Sequence, residues 1–270
     1  MILARTAIKI YDLVSPRLRR VALRNLEIAG YSDPERQRIA DGVFQSLARS
    51  LDRFWKFPTR TPENIGDWIR YEGLENFTTA MARGRGVLVA TAHLGNWEVS
   101  AFSHAWMTAP MNVVVRPLDN VRLDRIVERR RALSGNKLIG KKEAARTILT
   151  ALKGGEAVGI LVDQNVMPSE GVFIDFFGQK ACAGTAFVKF AHHSKAPVVP
   201  GFALWEATES RYVLRFYPEI EMTGDVQADT QRVHSFLESL IRQYPDQWLW
   251  IHRRWKTRPP GEPDLYVGKV

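Results

Sequence analysis

Apolar and polar positions along this chain follow two periods. From Ser32 to Trp55 the residues Ile39, Val43, Phe44, Leu47, Leu51, Phe54 and Trp55 recur at three- and four-residue steps, which predicts a long amphipathic helix. It opens on Ser32-Asp33-Pro34-Glu35, a capping box with Pro at the first helical position, and ends before Pro58. Upstream, Leu3, Ala7, Ile10 and Val14 form one helical stripe, with Arg5, Lys9 and Asp12 on another face. Ser15-Pro16 closes that helix and opens a second, in which Arg17, Arg19, Arg20 and Arg24 alternate with Leu18, Val21, Ala22 and Leu26 as far as Gly30. A link rich in Pro, Asn and Gly follows from Thr59 to Asp67, and Tyr71 to Glu75 leads into a helix reaching about Ala82.

Beyond Gly86 the period changes to short apolar runs alternating with helical stretches. Strands are predicted at Val87–Ala90, Met111–Arg116, Lys137–Ile139, Ala157–Val162, Val172–Phe177, Val198–Leu204 and Tyr212–Tyr217. Helices are predicted at Asp119–Leu133, Glu143–Leu152, Thr185–His193 and Thr230–Tyr244. Such alternation gives an α/β fold, a mixed and largely parallel sheet flanked by helices. An N-terminal helical segment over residues 1–58 precedes an α/β core over residues 59–270, the whole forming one structural domain without internal repeats.

The stretch from Gly86 to Glu98 organises the rest. Val87 to Ala90 reads as a strand buried on both faces, Gly95-Asn96 as a turn with a helix-capping Asn, and Trp97, Glu98, Val99 and Ala101 as the start of a helix. His93 then stands where a buried strand ends and Glu98 in the first turn of the next helix, at the sheet edge where ligands collect in open α/β folds. On one continuous helix the His-x4-Glu spacing would turn the two side chains about 140° apart. Across a strand-turn-helix corner they can face each other, and a carboxylate beside an imidazole makes a general base able to deprotonate a hydroxyl. The residues alone leave open a buried structural His and a helix-capping Glu.

Charge adds a second layer. Lys+Arg 38 against Asp+Glu 29 leaves a formal net charge of +9, which favours an anionic partner such as a phosphorylated lipid, an anionic membrane surface, an acidic carrier protein or nucleic acid. The single cysteine, Cys182, excludes intramolecular disulfides and Cys-rich zinc sites. No apolar run is long enough to cross a bilayer, and the first residues lack the pattern of a secretory signal. The basic amphipathic N-terminal helices fit either an interfacial position or ordinary packing with arginines in water. Further candidates stand at predicted strand ends: Arg116, as a phosphate clamp or a salt bridge across the sheet, and Asp163 with Gln164, where Asp163 serves either a turn or a ligand. Of Arg129-Arg130-Arg131, at most one points to a site. His192-His193 lacks a nearby carboxylate, so no metal site is expected there. The signatures of serine hydrolases, P-loop NTPases, dinucleotide enzymes and zincins are absent. The aromatic-basic stretch Trp248 to Trp255 reads as a stacking surface for nucleic acid, a lipid-headgroup site or a closing strand with paired arginines.

In order and spacing, four blocks resemble the lipid A biosynthesis acyltransferases, the lauroyl/myristoyl transferase group. They are Thr91-Ala-His-Leu-Gly-Asn-Trp-Glu98, Val115-Arg-Pro-Leu-Asp-Asn120, Asp163-Gln-Asn with Gly171 to Gly178, and Gln247 to Pro259. The resemblance covers roughly Asn25 to Tyr266. It implies a glycerolipid-acyltransferase-like fold and transfer of a fatty acyl chain from an acyl carrier protein thioester to a hydroxyl of a phosphorylated glycolipid. It gives His93 the base role and Glu98 the partner role, and puts Arg116, Arg131, Asp163 and Gln164 near the substrate. It implies no cofactor or metal and no nucleic acid partner, and a place at the cytoplasmic face of the inner membrane. Many such proteins begin with a transmembrane helix; the charged start of this chain predicts peripheral attachment instead. The same superfamily acylates mannosylated phosphoinositides and other acyl-lipids, so another glycolipid or lysophospholipid acceptor stays open. So does a basic membrane-binding protein without catalysis.

Overall fold

The structure, a computed structural model, describes residues 16–116, 118–140 and 144–268. The stripe Leu3, Ala7, Ile10, Val14 lies outside the described residues. Contacts divide the chain into two compact units, one from residues 16–52, Val162–Val188 and 223–268, the other from Arg53–Leu161 and Lys189–Met222.

The second unit carries the sheet. Its strands are β1 (Ile69–Glu72), β2 (Val87–Thr91), β3 (Asn112–Val114), β4 (Lys137–Ile139), β5 (Ala157–Leu161), β8 (Val198–Glu206) and β9 (Arg211–Phe216), arranged in the order β1-β9-β8-β2-β5-β3-β4. All neighbours pair in parallel except β8 and β9, which form an antiparallel pair. The fold is therefore α/β with a mixed, mostly parallel sheet, and its helices are α3 (Leu74–Met81), α4 (Trp97–Met107), α5 (Val121–Ala132) and α6 (Ala144–Lys153). β2 lies in the middle of the sheet with four of its five residues buried, which is why it reads as an unbroken apolar run. The core around it gathers Phe54, Phe57, Trp68, Phe77, Phe102 and Phe216.

The first unit contains α1 (Pro16–Ile28), most of α2 (Asp33–Trp55), the antiparallel hairpin of β6 (Gly171–Phe176) and β7 (Gln179–Gly184), and α8 (Val226–Gln243), which packs on β6. α7 (Ala186–Ser194) belongs to both units by sequence. The stretch from Trp248 to Trp255 forms no strand. Trp248, Trp250, Arg254 and Trp255 are buried in this unit, so their faces are closed to stacked bases and headgroups alike. Asn25 of α1 donates to the carbonyls of Trp250 (2.5 Å) and His252 (2.7 Å) and accepts from the Tyr266 hydroxyl (2.6 Å).

Among the described residues no helix is long and apolar enough to cross a membrane.

Candidate active site

The corner after β2 is set by backbone. Gly95 has φ +70°, and a Cβ there would sit 2.0 Å from the Ala203 carbonyl oxygen of β8, so the turn tolerates no side chain. Asn96, fully buried, donates its backbone N–H to that same carbonyl (2.9 Å) and caps α4 by accepting from Val99 N (3.0 Å). These contacts bring the first turn of α4 against the end of β2. His93 is half-buried in the corner, with its ring edge-on to Trp97 at 4.8 Å between centroids.

Glu98, in the first turn of α4, receives a two-pronged clasp from α5. Arg131 Nε donates to Oε2 at 2.9 Å and Nη2 to Oε1 at 2.6 Å. Both side chains are mostly shielded, 23% and 17% exposed, so the pair is screened less than a surface ion pair. Burial works against the Arg131 charge, but the hydrogen bonds and charge of Glu98, with Asp124 and Glu128 nearby, outweigh it and raise its pKa. The segment after α5 holds this helix in place: Asn136 donates to the Ala101 carbonyl of α4 (2.8 Å) and accepts from Met111 N (2.9 Å), while Ser134 caps the Arg131 carbonyl (3.0 Å).

The arginine triplet thus divides. Arg129 is exposed, Arg130 donates to the Trp55 carbonyl (2.8 Å) and lies over the Trp55 ring, and Arg131 turns inward to Glu98. Arg116, just past β3 on the same sheet edge as His93, is exposed and forms no ion pair among the described residues. In the other unit, Gln164 is exposed, and Asp163 is buried, accepting from Trp248 Nε1 at 2.9 Å. Asp163 also opposes the burial that pulls the fully buried Arg254 down to about 10. Its carboxylate is an internal acceptor and counter-charge, a role that neither sequence alternative named. Cys182 is buried, and burial raises its thiol pKa.

Residues 2–257 match the sequence model of the bacterial lipid A biosynthesis acyltransferases. The chain belongs to this family. Among other members, it is 32% identical to the lipid A biosynthesis palmitoleoyltransferase of Escherichia coli (strain K12), over 96% of this chain and 86% of the relative. It is 28% identical to the lipid A biosynthesis lauroyltransferase of the same organism, over 93% and 83%. A phosphatidylinositol mannoside acyltransferase of Mycolicibacterium smegmatis (strain ATCC 700084 / mc(2)155) shares 24% over 80% and 73%. Membership makes this protein an acyltransferase. Sequence reasoning found the His93–Glu98 corner of this acyltransferase because it is local. It missed the Arg131–Glu98 clasp, whose partners stand on separate helices with no pattern in sequence to join them.

Proposed function

We propose that the protein transfers a fatty acyl chain from an acyl carrier protein thioester to a hydroxyl of a lipid A precursor, with His93 as general base and Glu98 as its partner. The observation that carries this is the corner itself: His93 stands two residues past the end of the central strand, and five residues on, in the first turn of α4, Glu98 is fixed by the Arg131 fork. In this reading the neutral imidazole takes the acceptor O–H proton as the oxygen attacks the thioester carbonyl. The tetrahedral intermediate then collapses, the C–S bond breaks, and the imidazolium returns the proton to the leaving thiolate. Glu98 accepts from the far ring nitrogen, holding one tautomer and stabilising the imidazolium that forms only after proton transfer. A carboxylate has about four lone-pair sites, so two spent on Arg131 leave two for the imidazole.

Arg116, exposed at the same sheet edge, supplies a fork for a phosphate of the acceptor. The enzyme works peripherally at the cytoplasmic face of the inner membrane. A mannosylated phosphoinositide is the second acceptor reading, supported by the Mycolicibacterium relative; the higher identity to lipid A enzymes favours the first.

The test is mass spectrometry of membrane lipids from cells with and without the gene, alongside His93→Ala. A gain of one acyl chain on lipid A that depends on the wild-type protein is expected. The purified variant should lose about 10²- to 10⁴-fold in rate while staying folded. Near-normal transfer by His93→Ala would make His93 structural and overturn the mechanism.

A further inference from the structure

We infer that the outward side of α5 is the surface by which the protein lies on an anionic lipid bilayer. A helix on a globular protein ordinarily buries one apolar stripe. α5 has no fully buried residue and packs only Val127 part-buried against the core, although its sequence, with Leu133 directly after it, contains Val121, Leu123, Ile126, Val127 and Leu133. Val121, Leu123, Ile126 and Leu133 are each more than 40% exposed, as is Trp55, which Arg130 stacks against this helix at 4.4 Å.

The arrangement around the helix is ordered. At about 100° per residue, Leu123, Ile126, Arg130 and Leu133 fall within about 80° of one another. Arg122, Arg125 and Arg129, all exposed, form the adjoining strip. An apolar strip with an indole at its side and a basic strip beside it is the pattern of a helix lying in a membrane interface. An acidic protein partner would be recognised by the arginines alone and gives no reason for the exposed Leu, Ile and Trp side chains. Arg131, on the inward side of the same helix, grips Glu98, so the surface touching lipid and the candidate site are separated by about one helix diameter, 10 Å. An acceptor lipid then reaches the corner without leaving the bilayer surface. The inference rests on the lipid-acceptor reading above, and it assigns attachment to α5 rather than to the N-terminal stripe.

Sedimentation with phosphatidylglycerol–phosphatidylcholine vesicles, against pure phosphatidylcholine, tests it without turnover, so a failed transferase assay does not decide the result. Replacing Arg122, Arg125 and Arg129 by Gln should weaken binding to the anionic vesicles about fivefold per arginine, or about a hundredfold together. The control Arg17→Gln/Arg20→Gln should change it by much less. If the triple variant does not fold, a second measurement decides. An environment-sensitive dye on Ile126→Cys, with buried Cys182 unreactive, should shift to the blue on adding anionic vesicles, and the same dye on Thr208→Cys should not. Wild-type vesicle binding by the triple variant, an unshifted dye at position 126, or a loss confined to acyl carrier protein binding would each overturn the inference.

Discussion

At the scale of single residues the decisive contact is the clasp of Arg131 on Glu98. In the proposed mechanism this clasp holds the Glu98 carboxylate in one orientation toward the imidazole. Lys at position 131 would keep the charge but deliver a single mobile ammonium in place of the fork. Arg131→Lys is expected to lower kcat by about 10- to 100-fold with little change in KM for the thioester. Adding it to Glu98→Gln should cost far less than the product of the two single losses, because residues acting as a unit are non-additive. Steady-state kinetics on the four proteins of the cycle checks this; multiplicative losses would show that Arg131 acts apart from Glu98. His93, Asn96 and Glu98 were legible because strand, turn, cap and first helical turn fall in one short stretch. Successive helical side chains diverge by about 100°, so the triplet 129–131 left room for at most one arginine to turn inward, and only packing decides whether and which.

At the scale of elements, the β2–α4 corner depends on Gly95. An Ala there must take a left-handed φ and push its Cβ into the Ala203 carbonyl, so Gly95→Ala should destabilise by about 2 kcal/mol or more and distort the corner that carries His93 and Glu98. Thermal unfolding with a transferase assay reads both; an unchanged midpoint with full activity would show that the corner yields freely. Most elements followed from periodicity, with ends displaced by a few residues: α8 starts at Val226 rather than Thr230, and β3 stops at Val114. Two strands were not foreseen. β1 is a four-residue edge strand, Ile69-Arg-Tyr-Glu72, too short and mixed to show alternation, and it forms by pairing with β9. β7, Gln179-Lys-Ala-Cys-Ala-Gly184, is poor in β-branched and aromatic residues and becomes a strand through β6, with Phe173 opposite Cys182.

At the scale of the whole molecule, each unit holds a neutral imidazole. In the sheet unit His104 is buried by Phe77 and Phe216, its Nδ1 2.7 Å from the Tyr71 hydroxyl, and burial lowers its pKa to about 4. In the other unit His234 is also pushed down to about 4, by burial first and by Arg254 second. Its Nδ1 and Nε2 face the carbonyls of Thr230 and Val162, which offsets part of that shift. The unfolded chain protonates these groups near 6.5. Their stabilisation is therefore present above about pH 6.5 and is lost as pH falls through 4, to a limit of about 3 kcal/mol for each. Urea unfolding near pH 5 should show an uptake of about two protons, or about 2.7 kcal/mol per pH unit; a flat profile between pH 6.5 and 4.5 would contradict it. The three bonds of Asn25 carry a different consequence, one of timing. Its partners lie 225 to 241 residues further along the chain. At the usual pace of synthesis they leave the ribosome roughly 10 to 50 s after it. Over that interval the sheet unit, whose last residue is Met222, has its full sequence before the segment bearing Trp250 exists. Helix α1 meanwhile waits as an unsatisfied amphipathic segment, exposed to chaperones and to neighbouring nascent chains.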